Sequence, residues 1–149
     1  MKIALGCDHG GVALMNEIRR HLAAAGHELC DHGTHEEKSV DYPDFAHKVA
    51  MSILGAEADL GVLVCGTGLG MSMAANRHPG VRAALCTDTY MARMARLHND
   101  ANILCMGGRV LGPGLALEIL NAFLANEFEA GRHARRVSKL EINTQEVPK

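Results

Sequence analysis

The sequence sets a cysteine directly before a glycine-rich loop. In "LGVLVCGTGLGMSMAANR", residues 60–77, Cys65 is followed by Gly66, Thr67, Gly68 and Gly70. A turn of this kind, between an apolar run and a helical pattern, aims backbone N–H groups at one point and suits an anion. It lacks the Lys-Ser/Thr pair of a P-loop, and its glycine spacing does not match the dinucleotide fingerprint. The same field lowers a thiol's pKa, at helix N-termini from about 8.5 to about 3.5–7.5. A thiolate beside such a loop can attack a carbonyl carbon. It can also take a proton from carbon while the amides hold the oxyanion that forms. Residue types alone leave both open.

Other stretches carry polar groups of the same kind. "CDHGG" (7–11) offers Asp8 for sugar hydroxyls and His9 for a phosphate; an N-capping Asp beside a surface His is the plainer alternative. "LHND" (97–100) sets His98 in a polar cluster, where an imidazole of ordinary pKa near 6.5 can act as acid and base. "GGRVLG" (107–112) supplies Arg109, and "GRHARR" (131–136) supplies Arg132 and Arg136, which share one helix face and can clamp a dianion. A solvated charged face is the alternative there. "DHGTHEE" (31–37) holds two histidines and two glutamates, but at no metal-ligand spacing, so neither metal nor cofactor is expected. The methionines Met71, Met73, Met91, Met94 and Met106 read as core and interface filler.

These residues need elements to hold them. Short, continuously apolar runs at 2–6, 27–31, 60–65, 81–86 and 102–106 read as strands covered on both faces. Helical patterns lie between and after them. Residues 12–25 carry Leu14, Ile18 and Leu22 at helical spacing and stop at Gly26; residues 44–54 follow Pro43. Residues 68–77 follow the glycine loop, 88–97 follow Thr87 as N-cap, and 113–126 begin at Pro113. A last helix over about 134–146 places Val137, Leu140 and Thr144 on one face. Repeated strand–helix alternation predicts an α/β fold, a three-layer αβα sandwich of Rossmann-like type on a five-stranded parallel sheet. Cys7, Cys30, Cys65, Cys86 and Cys105 all fall at or near predicted carboxyl ends of strands, the edge where open α/β sheets bind ligands.

Composition narrows the class. The 149 residues suit a single domain spanning 1–149, with 48% hydrophobic and 21% charged residues. The formal net charge is -2, aromatics are 3% and no basic tract stands out, so nucleic acid is not an expected partner. The apolar runs are too short to span a bilayer, and "MKIALGCDHGG" does not read as a signal peptide. Five cysteines without a CxxC pair fit a reducing, cytoplasmic setting.

Six segments in order then carry a family resemblance: "GCDHGG" (6–11), "DYPDFA" (41–46), "CGTGLGMSMAANR" (65–77), "HND" (98–100), "GGRVLG" (107–112) and "GRHARRV" (131–137). Nearly end to end, the chain resembles the ribose-5-phosphate isomerase type B family, which includes galactose-6-phosphate and allose-6-phosphate isomerases. The resemblance implies an aldose–ketose isomerase acting on a sugar phosphate through a cis-enediolate, without metal or cofactor. It implies Cys65 as the base between C1 and C2, with Gly66, Thr67, Gly68 and Gly70 around the enediolate oxygen. It implies His98 as the group that opens the furanose ring. Asp8 and Asn99 resemble the hydroxyl-binding residues, Tyr42 a pocket wall, and His9, Arg109, Arg132 and Arg136 the phosphate set. The family forms dimers, sometimes dimers of dimers, with shared active sites. The His98–Arg109 region is then expected from the neighbouring subunit, and the last helix is expected to pack on it. Arg77 stands where many members carry Lys. Two other classes compete. A flavodoxin-like binding module would need no base on carbon, and a thiol hydrolase would need sites for water and a leaving group that the sequence does not mark.

Overall fold

The computed structural model describes residues 1–141. Five strands form the sheet: β1 Lys2–Cys7, β2 Glu28–Asp31, β3 Leu60–Cys65, β4 Ala83–Leu85 and β5 Ile103–Gly107. All pair in parallel, in the order β2-β1-β3-β5-β4. Six helices accompany them: α1 Val12–Ala24, α2 Tyr42–Leu54, α3 Leu69–Ala75, α4 Thr89–Asn99, α5 Pro113–Leu124 and α6 Arg132–Val137. The expected α/β sandwich on a five-stranded parallel sheet is the observed architecture.

Strand parity sorts the side chains between two helical layers. Leu5, Val62, Val64, Leu104 and Met106 pack with Met15, Ile18 and Leu22 of α1 and Ile119 and Phe123 of α5, while α4 adds Ala92 and Ala95. Leu63, Cys65 and Ile103 face the other way, onto Val49 and Ala50 of α2 and Met71 and Ala75 of α3. Each large side chain removed from water here stabilises the fold by about 1.5–3 kcal/mol. Every residue of β3 and β5 is buried, which is why these runs read as continuous rather than alternating.

The sequence reading departs from the structure mainly at element ends. β4 is shorter than the run 81–86, because it is an edge strand whose outer side is closed by a side chain: Asn76 Nδ2 donates to Ala83 O and its Oδ1 accepts from Ala83 N, both at 2.8 Å. Asp88, not Thr87, caps α4, its Oδ1 accepting from Met91 N at 2.8 Å. Gly26, at φ 80, does stop α1. The His27 and Gly26 amides donate back to Leu22 O and Ala23 O, the paired bonds of a left-handed helix end. The last helix begins at Arg132, after Gly131, and gives way at Ser138, so Leu140 is not helical. Thr144, placed on that helix from sequence, lies outside the described residues. Cys105 lies mid-strand in β5 and is fully buried.

Candidate active site

The chain leaves β1 for β2 on one side and reaches β3 on the other. In such sheets a crevice opens between the two central strands, at their carboxyl ends. The loops after β1, β3 and β5 close on one another there. Asp8 N donates to Val64 O at 3.2 Å, Gly108 N to Cys65 O at 2.8 Å and Arg109 N to Gly66 O at 3.0 Å. The approach needs a glycine at position 10, where a Cβ would stand 3.1 Å from Gly66 N.

Cys65 ends β3 and is 5% exposed. Its Sγ accepts a hydrogen bond from Gly68 N at 3.1 Å. That bond depends on backbone shape. Gly68 adopts φ 79, and a Cβ there would meet Leu85 Cδ1 at 2.5 Å and the Met106 carbonyl carbon at 2.9 Å, so only glycine turns its amide towards the sulfur. Thr67 Oγ1 accepts from Leu69 N at 3.4 Å. Tyr42, the first residue of α2, lays its ring on Gly70, where a Cβ would come within 2.6 Å of Cε2. Burial pushes the Cys7 and Cys86 thiols up, to about 11 and about 12, and holds mid-strand Cys105 well above the usual thiol range.

Asp8 and His9 flank this loop from β1. Asp8 is buried, and its Oδ1 accepts from Gly10 N at 2.9 Å. His9 Nδ1 accepts from Val40 N at 3.3 Å, which leaves the ring proton on Nε2 as a donor. Arg109 runs across Gly66, its Cδ 3.6 Å from where a Cβ would be. Asp8, His9, Tyr42, Cys65, Gly66, Thr67, Gly68, Gly70 and Arg109 thus gather within one chain. Arg109 lies against Gly66 of its own chain. The β5 loop is tied to the β3 loop by backbone bonds that the sequence does not display.

A second cluster forms where α6 packs on α4. His98 and His133 stack, with ring centroids 4.1 Å apart and planes 7° from parallel. Both Nε2 atoms lie near Glu129 Oε2, at 3.9 and 3.8 Å. Asn99, Arg132 and Arg136 belong to the same α4–α6 edge. His133 is buried, and its pKa is lowered by loss of water and by the neighbouring His98, Arg132 and Arg136, against Glu129. Sequence reasoning missed His133 and Glu129. His133 sits inside "GRHARR", and its partner His98 is 35 positions away, so only the packing of α6 on α4 reveals the pair. A groove of about 730 Å³ opens beside this edge, lined by Asn76, Arg82, Ala95, Asn99 and Leu140 among others. No helix among the described residues is long and apolar enough to cross a membrane.

Comparison with known proteins places this arrangement. A family model described as Ribose/Galactose Isomerase matches residues 3–140. The chain is 47% identical over 139 residues to ribose-5-phosphate isomerase B of Escherichia coli K12, covering 93% of each. Among solved structures, ribose-5-phosphate isomerase B of Clostridium thermocellum superposes with a TM-score of 0.93 at 56% identity, over 94% of this chain and 95% of that one. The type B ribose 5-phosphate isomerase of Trypanosoma brucei gives 0.89 at 47% identity, over 93% and 95%. With the six segments, the switch-point crevice and these matches in agreement, the chain belongs to the ribose/galactose isomerase family.

Proposed function

We propose that this protein interconverts an aldose and a ketose sugar phosphate, with ribose 5-phosphate and ribulose 5-phosphate as the pair, and that Cys65 is the base on carbon. The observation that carries the reading is the Gly68 N–H donated to Cys65 Sγ at 3.1 Å. The backbone donor fixes the sulfur in the crevice, and in this reading that sulfur accepts a proton from C2 of the aldose and returns one to C1 of the ketose. Leu69 N donates to Thr67 Oγ1, and the next first-turn amides of α3, those of Gly70 and Met71, have no carbonyl of their own helix to bond and in this reading hold the enediolate oxygen. Because Cys65 is nearly closed to solvent, that charge develops away from water, where fixed dipoles act more strongly.

The other residues take supporting parts in this reading. Asp8 accepts from sugar hydroxyls, Tyr42 walls the crevice, and His9 and Arg109 donate to the phosphate. His98 moves protons between the ring oxygen and the anomeric hydroxyl to open the furanose. Asn99, Arg132 and Arg136 complete the hydroxyl and phosphate contacts. Since these lie on the α4–α6 edge and Cys65 lies in the crevice, two copies of the chain join them into one shared site. No step calls on a metal or cofactor.

The test is a panel of four- to six-carbon aldose phosphates, ribose, allose and galactose phosphates included, followed for ketose formation. Ribose 5-phosphate is expected to show the highest kcat/KM. A higher value for a six-carbon member moves the substrate assignment, and no conversion of any member overturns the reading.

A further inference from the structure

The polar cluster "LHND" ends on Asp100, which the mechanism above does not use. Asp100 follows Asn99, the last residue of α4. It adopts φ 47 and ψ 42, the left-handed conformation that glycine takes without strain and a residue with a Cβ does not. The chain turns there, and Ala101 N donates back to Ala95 O at 2.9 Å. Strained backbone of this kind persists only where its surroundings fix it, and it gathers at functional sites. Here Arg82, the residue before β4, supplies the fixing contacts. Its Nε donates to Asp100 O at 2.7 Å and its Nη2 to Asp100 Oδ2 at 2.8 Å. One planar guanidinium thus grips the backbone and the carboxylate of the same residue. Arg82 is held in turn, its own N donating to Asn102 Oδ1 at 2.8 Å and its Nη1 to Gly80 O at 3.3 Å. Arg96 Nη1 donates to Ala101 O at 2.6 Å and lies 3.8 Å from Asp100 Oδ1. The side chains of Arg82 and Asp100 are 21% and 35% exposed, so the pair is partly shielded from water.

We infer that Asp100 and Arg82 are positioning residues of the isomerase: their two-point contact fixes the end of α4 and so aims His98, in the last turn before Asp100, at the ring oxygen of the bound aldose phosphate. The inference rests on the reading of His98 given above. A glycine at position 100 would reach the same φ with no strain, so backbone shape alone does not call for an aspartate. What the aspartate adds is the second point of the grip. Without it the last turn of α4 pivots about the single bond from Arg82 Nε to the carbonyl. A proton carrier displaced by about 1 Å loses about 10²-fold in rate. Neither residue is asked to touch the substrate; both act through His98.

The experiment measures both directions of the proposed reaction in wild type, Asp100→Gly, Arg82→Gln and the double variant, with His98→Asn as control. Ribose 5-phosphate enters as a furanose and needs its ring opened. Ribulose 5-phosphate, its 5-oxygen blocked by phosphate, is open-chain and needs only the base and the loop amides. Asp100→Gly should keep its Tm within a few degrees of wild type, because glycine relieves the turn as the ion pair is lost. Its kcat/KM with ribose 5-phosphate should fall at least about tenfold, and with ribulose 5-phosphate less than about threefold. Arg82→Gln removes both points of the grip and should shift that ratio further, and the double variant should be no worse than Arg82→Gln alone. Asp100→Gly keeps the test sound if Arg82→Gln fails to fold. If His98→Asn shifts the ratio and Asp100→Gly loses both directions equally or neither, the positioning role is overturned and the reading of His98 stands. If His98→Asn leaves the ratio unchanged, the reading of His98 fails and this inference with it.

Discussion

At the scale of single residues, the two groups of candidate side chains differ in what they should do to kinetics. Arg136 would touch a phosphate remote from the reacting carbons, so it binds ground state and transition state alike. Arg136→Ala is therefore expected to raise KM about 10- to 100-fold, with kcat changed far less, as for the loss of a charge-assisted contact of about 1.5–3 kcal/mol. Steady-state kinetics with ribose 5-phosphate checks this, and an unchanged KM removes Arg136 from the phosphate site. The crevice residues were legible in the sequence because each follows a strand within a few positions: Asp8 and His9 after β1, Cys65 to Gly70 at β3, Arg109 after β5. A strand's end and its loop are local facts. The contact between His98 and His133 was not legible, because it is made by the packing of two helices and not by spacing along either.

At the scale of elements, the bend after β3 holds the sulfur and its donor in register. Gly68→Ala forces a left-handed φ on a residue with a Cβ, which costs about 1–2 kcal/mol before the contacts with Leu85 and Met106 are counted. For a chain this size, a thermal melt should show Tm lowered by several degrees, and kcat should fall as the amide leaves the sulfur. An unchanged Tm would contradict the geometry. The strand-end thiols make a second element-scale prediction. Unfolded thiols ionise near pH 9, whereas burial holds Cys7 near 11 and Cys86 near 12 in the fold. Between these values the unfolded chain binds fewer protons than the folded one, so stability falls as pH rises. That contribution is complete below about pH 9 and is lost as pH climbs through 11–12. Urea midpoints at pH 8 and pH 10 should differ accordingly, and less in Cys86→Ala. Element types were readable from apolar runs and caps. Their ends were not, since the β4 boundary is set by Asn76 from a neighbouring segment and the α4 cap by a choice between adjacent Thr87 and Asp88.

At the scale of the whole molecule, the sheet order explains why the site assembles where it does. Strands 1, 3 and 5 are adjacent only in space, and their three loops meet because the chain reverses direction across the sheet at β1. Strand–helix alternation reveals the sandwich but not that order. The proposed sharing of the site between two copies predicts complementation. Cys65→Ala and His98→Asn chains, unfolded together and refolded as a mixture, should regain about a quarter of wild-type activity. Half of the dimers are then hybrids, and each hybrid holds one site with neither substitution. A mixture no more active than its separate components would mean that each chain works alone.

The central claim is that the Cys65 thiolate moves a proton between C1 and C2, and turnover of ribose 5-phosphate in deuterated water by wild type and Cys65→Ala tests it most directly. Wild type should place solvent deuterium at C1 of the ketose. Cys65→Ala should lose turnover by several orders of magnitude while still binding the sugar phosphate, because the phosphate contacts are untouched. Near-normal turnover by Cys65→Ala, or a wild-type ketose carrying no deuterium, would contradict the account.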